Sequence, residues 1–346
     1  MKTVQNIIIG FGKGGKTLAK FLAQQGEEVL VVEKSREMYG GTCINIACLP
    51  SKRLITEAAR GTDFATAIQG KREMVAQLRD KNYHMLADED TITVLDGTAQ
   101  FTSDHTITVD TATGPQEFTG KRIFINTGAQ PTVPAIPGLR ESPALLTSTS
   151  AMELDSLPQK LVIIGAGYIG LEFASMFAEF GAQVTVVDHH QEFLPREDTD
   201  VAAMVKANLE QAGVTFHLGV NIDQVSTANG QVQVEISRDG HATQLAADKI
   251  LAATGRRPAT AKLGLEKPGL PLTIGAPSRS MTSSTPRCPM YGPLAMLRAV
   301  PSLLIFPWTT SESSRMSFSA TAPAVSVTVG SSQPASLLSH RSPKLA

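Results

Sequence analysis

A pattern of strand, glycine-rich turn, helix, strand and acid occurs twice in this chain and constrains its fold more than any other feature. The first copy starts at the apolar run 4–9 and the second at the apolar run 161–164. Both carry the spacing G-x-G-x-x-G, with Gly10, Gly12 and Gly15 in the first copy and Gly165, Gly167 and Gly170 in the second. Such a turn lets the backbone approach the pyrophosphate of a dinucleotide. The sequence therefore predicts an α/β protein with two Rossmann-like dinucleotide-binding units.

An acid closes the second strand of each copy. Glu33 and Asp188 each lie eighteen residues after the last glycine of their copy, where a ribose hydroxyl needs a hydrogen-bond acceptor. In the second unit this acid favours NADH over NADPH, because a carboxylate repels a 2′-phosphate. His189 and His190 follow directly and could soften the preference, although we interpret them as exposed loop residues.

Two of the three cysteines lie close together between the two copies. Cys43 and Cys48 are separated by four residues. A helix rises about 7.5 Å over five residues, whereas bridged cysteines keep their Cα atoms within about 7 Å. A disulfide here therefore needs an irregular turn, which Gly40-Gly41 and Pro50 permit. A strained, accessible disulfide is labile, which favours a redox couple over a structural bridge.

Two other interpretations of the cysteine pair stay open. Buried cysteines can act as small apolar side chains, and two thiols can form half of a zinc site. No second thiol pair or nearby histidine in the sequence completes such a site, so we predict no resident metal. The glycine fingerprint about thirty residues upstream favours the redox interpretation.

The composition and charge of the sequence exclude some classes of protein. The 346 residues include 31 basic and 32 acidic side chains, so the basic excess of a nucleic-acid-binding protein is missing. The apolar run near the first residue is too short for a signal peptide or a membrane span. We therefore expect a cytoplasmic protein that binds neither nucleic acid nor membranes, and in that compartment a cysteine pair is more often catalytic than structural.

The sequence segments between the motifs predict further helices and strands that support the two units. Residues 53–87 have the periodicity of an amphipathic helix, whereas residues 91–124 and 214–236 alternate like the short strands of a β-meander. Two further buried strands end in Thr-Gly pairs, at Thr127-Gly128 and Thr254-Gly255. We predict one domain over residues 1–145 and a second over residues 146–265, each a nucleotide-binding unit with a meander insertion.

Together these motifs resemble those of the flavoprotein pyridine nucleotide-disulfide oxidoreductases, the family of glutathione reductase, dihydrolipoamide dehydrogenase and mercuric reductase. The resemblance covers about residues 4–270, and residues 38–45 are most similar to the bacterial subgroup linked to reactive-chlorine resistance. It implies FAD on the first fingerprint, NADH or NADPH on the second, and hydride passing through the flavin to the disulfide. It also implies a homodimer and a small-molecule or metal-ion electron acceptor.

The resemblance assigns roles to single residues. Cys48 corresponds to the thiolate beside the flavin, and Cys43 to the thiol that meets substrate. Lys52 corresponds to a lysine near the reactive edge of the flavin, paired with Glu172 of the second unit. A cation there stabilises both a reduced flavin and a nearby thiolate. Cofactor contacts are also expected, besides the fingerprint glycines and acids, at Gly41, Thr42, Thr127, Gly128 and Gly255.

Two positions carry a further expectation. Tyr168 resembles the aromatic residue that covers the nicotinamide pocket, with packing at the helix start as its alternative. Ala47 stands where the family usually has glycine. If that position requires positive φ, alanine would cost about 1–2 kcal/mol.

The family pattern stops near residue 273. Serine, proline and threonine dominate residues 273–346, Glu312 is the only acid there, and no helical or strand period is sustained. The late Gly-Asp strand end that holds the flavin and the interface domain with its His-Glu pair are not recognisable.

A natural disordered tail is one explanation of this change, although disordered segments are usually richer in charge. A shifted reading frame is the explanation we favour. The codons possible for residues 288–299 permit P-N-V-W-A-I-G-D-V-A-G in another frame, which resembles the missing flavin motif. We therefore interpret residues 266–346 as an aberrant, disordered tail from a frameshifted and truncated reductase. Impaired flavin binding, dimerisation and turnover are expected. A nucleotide-binding remnant without turnover and a dithiol metal-binding module are the rival functions.

Overall fold

The computed structural model describes residues 1–228 and 231–268, and the backbone of residues 303–305. Its largest sheet belongs to the first glycine-rich unit and has the order β3-β2-β1-β6-β5-β4, with a seventh strand, β17, paired to β6. The strands are β1 (Lys2–Ile9), β2 (Val29–Glu33), β3 (Ile92–Asp96), β4 (Thr98–Phe101), β5 (Thr106–Thr111), β6 (Gly114–Ile125) and β17 (Leu303–Ile305).

A second parallel sheet belongs to the second glycine-rich unit. Its strands are β8 (Leu145–Leu146), β9 (Lys160–Ile164), β10 (Gln183–Asp188), β11 (Thr215–Leu218) and β15 (Lys249–Ala252). They have the order β11-β10-β9-β15-β8. A meander of β12 (Asn221–Ala228), β13 (Gln231–Arg238) and β14 (His241–Ala247) is attached to it. A separate two-stranded sheet pairs β7 (Ala129–Pro131) with β16 (Arg256–Pro258).

Helices cover the parallel sheets. They are α1 (Lys13–Gln24), α2 (Thr42–Asn45), α3 (Cys48–Ala59), α4 (Phe64–Ala87), α5 (Ser148–Ala151), α6 (Tyr168–Glu179) and α7 (Thr199–Gln211), with a 3₁₀ turn at Arg36–Met38. None of the helices in the described ranges has the length and apolar character that crossing a bilayer requires.

The central strands are apolar on both faces because each face is covered. Ile7 and Ile9 of β1 pack into one core with Leu30 of β2, whereas Ile8 packs into another core with Leu18 of α1. Alternate residues of a strand point to opposite faces, and strands buried on both sides have continuous apolar runs. The sheet of the first unit is mixed, because β5 pairs antiparallel with β4 and β6. The predicted α/β fold is confirmed.

Several predicted boundaries are wrong, since local periodicity does not reveal which strands pair. The helical stretch 53–87 is two helices, α3 and α4, separated at Gly61, where φ is +73°. In the stretch 91–124, β3 pairs in parallel with β2 rather than joining a meander. Similarly, β11 belongs to the second parallel sheet, and the meander that follows covers β12 to β14.

The C-terminal tail is described only at residues 266–268 and 303–305. Within it, the backbone of Leu303–Ile305 pairs in parallel with Ile123, Phe124 and Ile125 of β6. The rest of the predicted tail, 269–302 and 306–346, lies outside the described residues. The division into domains at residues 145 and 265 stays a prediction.

Gly165 and Gly181 have similar φ angles but different surroundings, so comparing them tests how closely the second turn is packed. Gly165 has φ +109°, and a Cβ there would lie 2.7 Å from the carbonyl oxygen of Ala253. Gly181 has φ +100° with open space around it. We expect Gly181→Ala to lower the free energy of unfolding by about 1–2 kcal/mol and Gly165→Ala by about 1–3 kcal/mol more, because of the overlap. Urea denaturation would measure both, and equal losses would contradict the packing.

Candidate functional site

The first glycine turn is anchored by the acid at the end of β2. The amide of Gly10 donates to the carbonyl of Val32 at 2.7 Å. The amides of Phe11 and Ser35 donate to the two carboxylate oxygens of Glu33, at 2.9 and 3.2 Å. Burial raises the pKa of Glu33, and these backbone hydrogen bonds oppose the rise. The carboxylate therefore lies beside the turn, where the sequence predicts a ribose contact.

The second turn repeats this arrangement. The amide of Gly165 donates to Val187 at 2.8 Å, and the amide of Ala166 donates to Asp188 Oδ2 at 2.6 Å. His190 donates its amide to Oδ1 at 2.8 Å. Burial opposes ionisation of Asp188, but the hydrogen bonds from Ala166 and His190 outweigh it and lower the pKa. Two equivalent acid-anchored turns thus follow from two equivalent sequence patterns.

Both turns leave a helix N-terminus able to bind an anion. The N-caps of α1 and α6 are Gly12 and Gly167, neither with a side-chain capping bond, and no acid lies in either first turn. A Cβ placed on Gly167 would meet nothing within 4 Å. Free amides and the helix dipole favour a phosphate at such a position. The residues present therefore fit the pyrophosphates of two dinucleotides.

Asn126, directly after β6, is a site residue that sequence reasoning missed. It is buried, and its Nδ2 donates to the carbonyl of Gly10 at 3.2 Å. The same Nδ2 lies 2.7 Å from where a Cβ would be on Gly12 or Gly15. These two glycines are required because the asparagine fills the space beside them. The position of Asn126 directly before the predicted Thr127-Gly128 contact is the sequence signal that could have identified it.

The cysteine loop packs directly on the first turn. Gly41 has φ +82°, and a Cβ there would overlap the Cα of Gly12. Thr42 Oγ1 lies 3.8 Å from the Cβ position of Gly128, which has φ +67°. The structure therefore brings together the predicted contacts at Gly41, Thr42 and Gly128.

Buried Asn45 fixes the entry to this loop. Its Nδ2 donates to the carbonyls of Tyr39 and Gly41, both at 2.9 Å, and Arg79 Nε donates to its Oδ1 at 3.0 Å. No sequence pattern indicates this role, because Arg79 is 34 residues away on α4.

The irregular turn that a Cys43–Cys48 disulfide requires is present. Helix α2 ends at Asn45, and α3 begins at Cys48. Ala47 between them has φ −146°. The position is not left-handed, so the cost suggested for alanine at this position does not arise.

The two sulfurs share one proton. Both thiols are free and half-buried. A hydrogen bond donated by the Cys48 thiol lowers the pKa of Cys43 to about 6. Burial opposes this change, whereas Lys13, Lys16 and the Cys48 amide add to it. Donating that bond, together with burial, raises the pKa of Cys48. The thiolate is thus favoured at Cys43, whereas the resemblance assigns it to Cys48. The disulfide and the separate roles of the sulfurs stay predictions.

Lys52 and Glu172 form the expected pair. Lys52 Nζ lies 2.7 Å from Glu172 Oε1, and the hydroxyl of Ser51, which sequence reasoning did not single out, donates to the same oxygen. Lys52 follows Cys48 by four residues on α3, so both lie on one helix face. Glu172 is on α6, so this contact connects the cysteine helix to the second nucleotide unit.

Tyr168 lies at the start of α6 and is 66% exposed. Its hydroxyl donates to the carboxylate of Glu197. Both interpretations of Tyr168, as a cover for a nicotinamide and as packing at the helix start, stay predictions.

The two Thr-Gly strand ends lie next to each other. The carbonyl of Gly128 accepts from the amide of Ala259 at 3.0 Å, and the carbonyl of Gly255 accepts from the amide of Thr132 at 2.9 Å. Thr254 Oγ1 also donates to Thr132 at 3.0 Å. The β7–β16 pair therefore joins the carboxyl ends of β6 and β15, and with them Thr127, Gly128 and Gly255.

Comparison with known proteins agrees with this geometry. Residues 4–280 match the family model described as pyridine nucleotide-disulphide oxidoreductase, and the chain belongs to that family, whose members use FAD and NADH or NADPH. The probable pyridine nucleotide-disulfide oxidoreductase RclA of Escherichia coli is 49% identical over 270 residues, covering 78% of this chain and 60% of its own.

More distant relatives and a solved structure extend the comparison. The mercuric reductase of Staphylococcus aureus is 33% identical, with 76% of this chain and 50% of that one covered. The Cu(II) complex of the HOCl-induced flavoprotein disulfide reductase RclA from Escherichia coli matches with a TM-score of 0.76 at 48% identity, covering 79% of this chain and 61% of that one. The chain thus spans about 60% or less of the length of these relatives.

The hydrogen bond between the two thiols predicts a pH profile. In pre-reduced protein carrying Cys288→Ser, alkylation of Cys43 by iodoacetamide should increase with pH around a midpoint of about 6, because the thiolate is the nucleophile. Cys48→Ala removes the donor, so the midpoint should rise toward the ordinary thiol value of about 8.5. Cys48→Ser keeps a hydroxyl donor and is the matched control. An unchanged midpoint in Cys48→Ala would contradict the shared proton.

Proposed function

We propose that this chain is an NAD(P)H-dependent flavoprotein reductase that uses Cys43 and Cys48 as its redox-active pair. The observation that carries the proposal is the position of that pair. Its two thiols are half-buried, on a loop whose Gly41 packs against Gly12 of the first nucleotide turn. A disulfide at this position would lie beside the cofactor that the turn binds.

FAD is the cofactor that fits the first turn, through the N-terminal amides of α1 and the carboxylate of Glu33. The chemistry that FAD supplies when bound is transfer of a hydride equivalent from a reduced nicotinamide to a disulfide. The nicotinamide nucleotide fits the second turn, through the N-terminal amides of α6 and the carboxylate of Asp188. Tyr168, exposed at the start of α6, is proposed to cover its reactive ring.

The chain's own residues control charge and protons during reduction. Two electrons and one proton convert the disulfide into a thiolate and a thiol, and the hydrogen bond between Cys43 and Cys48 holds that single proton. The Cys48 amide and Lys13 and Lys16 stabilise the negative charge at Cys43. Lys52, fixed by Glu172, is proposed to stabilise anionic charge on the cofactor side of the pair.

The electron acceptor is proposed to be a disulfide, a thiol-reactive oxidant or a metal ion. Relatives named mercuric reductase and flavoprotein disulfide reductase support these classes. Because the latter is a Cu(II) complex, Cu(II) is the first metal acceptor to assay. A cytoplasmic location belongs to the same proposal and still rests on the sequence.

Activity is proposed to be impaired in this form. The family match ends at residue 280, close to the composition change at residue 273. Flavin binding and homodimer formation, which the resemblance implies, are proposed to be weakened because the motifs expected beyond that point are not recognisable.

A comparison with a frame-restored chain tests both proposals. Each version is incubated with FAD, and bound flavin, titratable thiols and NADH consumption are measured. NADH should expose two additional thiols per flavin-loaded chain in either version, since one disulfide is reduced. The frame-restored chain should bind more flavin and turn over faster. Two free thiols in oxidised, loaded protein would reject the redox pair, whereas equal flavin contents and rates would reject impairment alone.

A preference for NADH is proposed from Asp188, whose carboxylate is held beside the second turn. NADH should bind more tightly than NADPH, since the carboxylate accepts from a ribose hydroxyl and repels a phosphate. Asp188→Asn should weaken NADH binding about tenfold or more, the size of a lost hydrogen bond to a charged group. Calorimetry measures both dissociation constants, with Asp200→Asn as a surface control. Tighter NADPH binding in the unsubstituted chain would overturn the assignment.

A further inference from the structure

Three metal-ligating side chains converge at the end of β10. Asp188, His189 and His190 each offer one ligand atom, and these atoms lie within 4.8 Å of one another. The proposed function uses only the carboxylate of this group. The two imidazoles beside it have no role in hydride transfer.

The geometry of the cluster is that of a partly assembled chelate. His190 Nδ1 lies 2.8 Å and His189 Nδ1 lies 3.4 Å from the same oxygen, Asp188 Oδ1. The centroids of the two rings are 3.8 Å apart. Both ring nitrogens therefore lie close to one carboxylate oxygen.

The carboxylate is fixed, whereas the imidazoles are accessible. Asp188 is 11% exposed in its side chain, and the amides of Ala166 and His190 hold its two oxygens. The side chains of His189 and His190 are 73% and 58% exposed. Backbone donors orient a ligand carboxylate as an outer shell does in metal sites. The exposed side leaves room for water as further ligands.

We propose that Asp188, His189 and His190 bind a divalent transition metal ion of the zinc, nickel or copper type. Two imidazole nitrogens and one carboxylate oxygen suit these ions better than Mg²⁺ or Ca²⁺, which prefer oxygen ligands alone. On binding, each coordinating Nδ1 offers its lone pair, and the ring proton is carried on Nε2. This site departs from our sequence prediction of no resident metal.

The position of the proposed metal site implies an effect on nucleotide binding. Asp188 is also the proposed acceptor for the ribose of the nicotinamide nucleotide, so a metal ion bound there and the nucleotide compete. This part of the inference rests on the proposed function. The metal would thereby inhibit at the nucleotide turn, away from the cysteine pair.

The test uses Zn²⁺ on the full chain, purified without a histidine tag. Cys43→Ser, Cys48→Ser and Cys288→Ser remove the thiols, which bind zinc themselves. Calorimetry in this background should show one zinc site per chain. Replacing both His189 and His190 with alanine should weaken it at least tenfold. His84→Ala is the matched control, because His84 is an exposed histidine between two carboxylates but lacks a second imidazole, and zinc affinity should not change.

Nucleotide competition is measured in the same thiol-free background. Saturating Zn²⁺ should raise the dissociation constant of NADH at least fivefold, and the double histidine variant should abolish this effect. Equal zinc affinity with and without the two histidines would overturn the site, and unchanged NADH affinity would overturn the competition. Failure of NADH to bind even without zinc would instead reject the proposed function and leave the zinc measurement valid.

Discussion

Close backbone packing around the first glycine turn is the constraint on which the rest of the structure depends. A side chain on Gly10 would overlap the carbonyl of Asn126, and one on Gly41 would overlap Gly12. The end of β6, the turn and the cysteine loop can meet only because these positions carry no Cβ atom. The position of the loop that carries Cys43 and Cys48 therefore depends on these glycines.

Each of the two units has its own strand-end carboxylate and its own helix N-terminus beside its glycine turn. Each strand-end carboxylate accepts amides of its own turn, so it is oriented before any ligand arrives, and each helix N-terminus is left uncapped. Lys52 and Glu172 link the cysteine helix to the second unit. The proposed reductase activity would need two cofactor sites at a fixed separation, since a displacement of about 1 Å can cost roughly a hundredfold in rate. The ion pair and the β7–β16 sheet connect the two units on which those sites are proposed.

Local signals explain which predictions succeeded. The strand, glycine, helix and acid order depends on neighbours a few residues apart, and both copies form as predicted. The assignment of β3 and β11 to parallel sheets depends on pairing with distant strands, and these predictions failed. The single helical stretch predicted over residues 53–87 also failed, because the chain breaks it at Gly61. The cysteine spacing required an irregular turn, which the structure contains between Asn45 and Cys48.

The sequence by itself determined the α/β class, the two nucleotide turns, their acids and the redox candidates, because each is defined by residue type and short spacing. Tertiary structure alone decided that Asn126 closes the first turn, that Ser51 shares the oxygen of Glu172, and that Cys43 rather than Cys48 carries the lowered pKa. The first two depend on contacts between residues more than one hundred positions apart. The third depends first on which sulfur accepts the hydrogen bond from the other thiol, and then on the distance of Lys13 and Lys16 from Cys43. Folding of the chain sets these distances, whereas composition and periodicity do not.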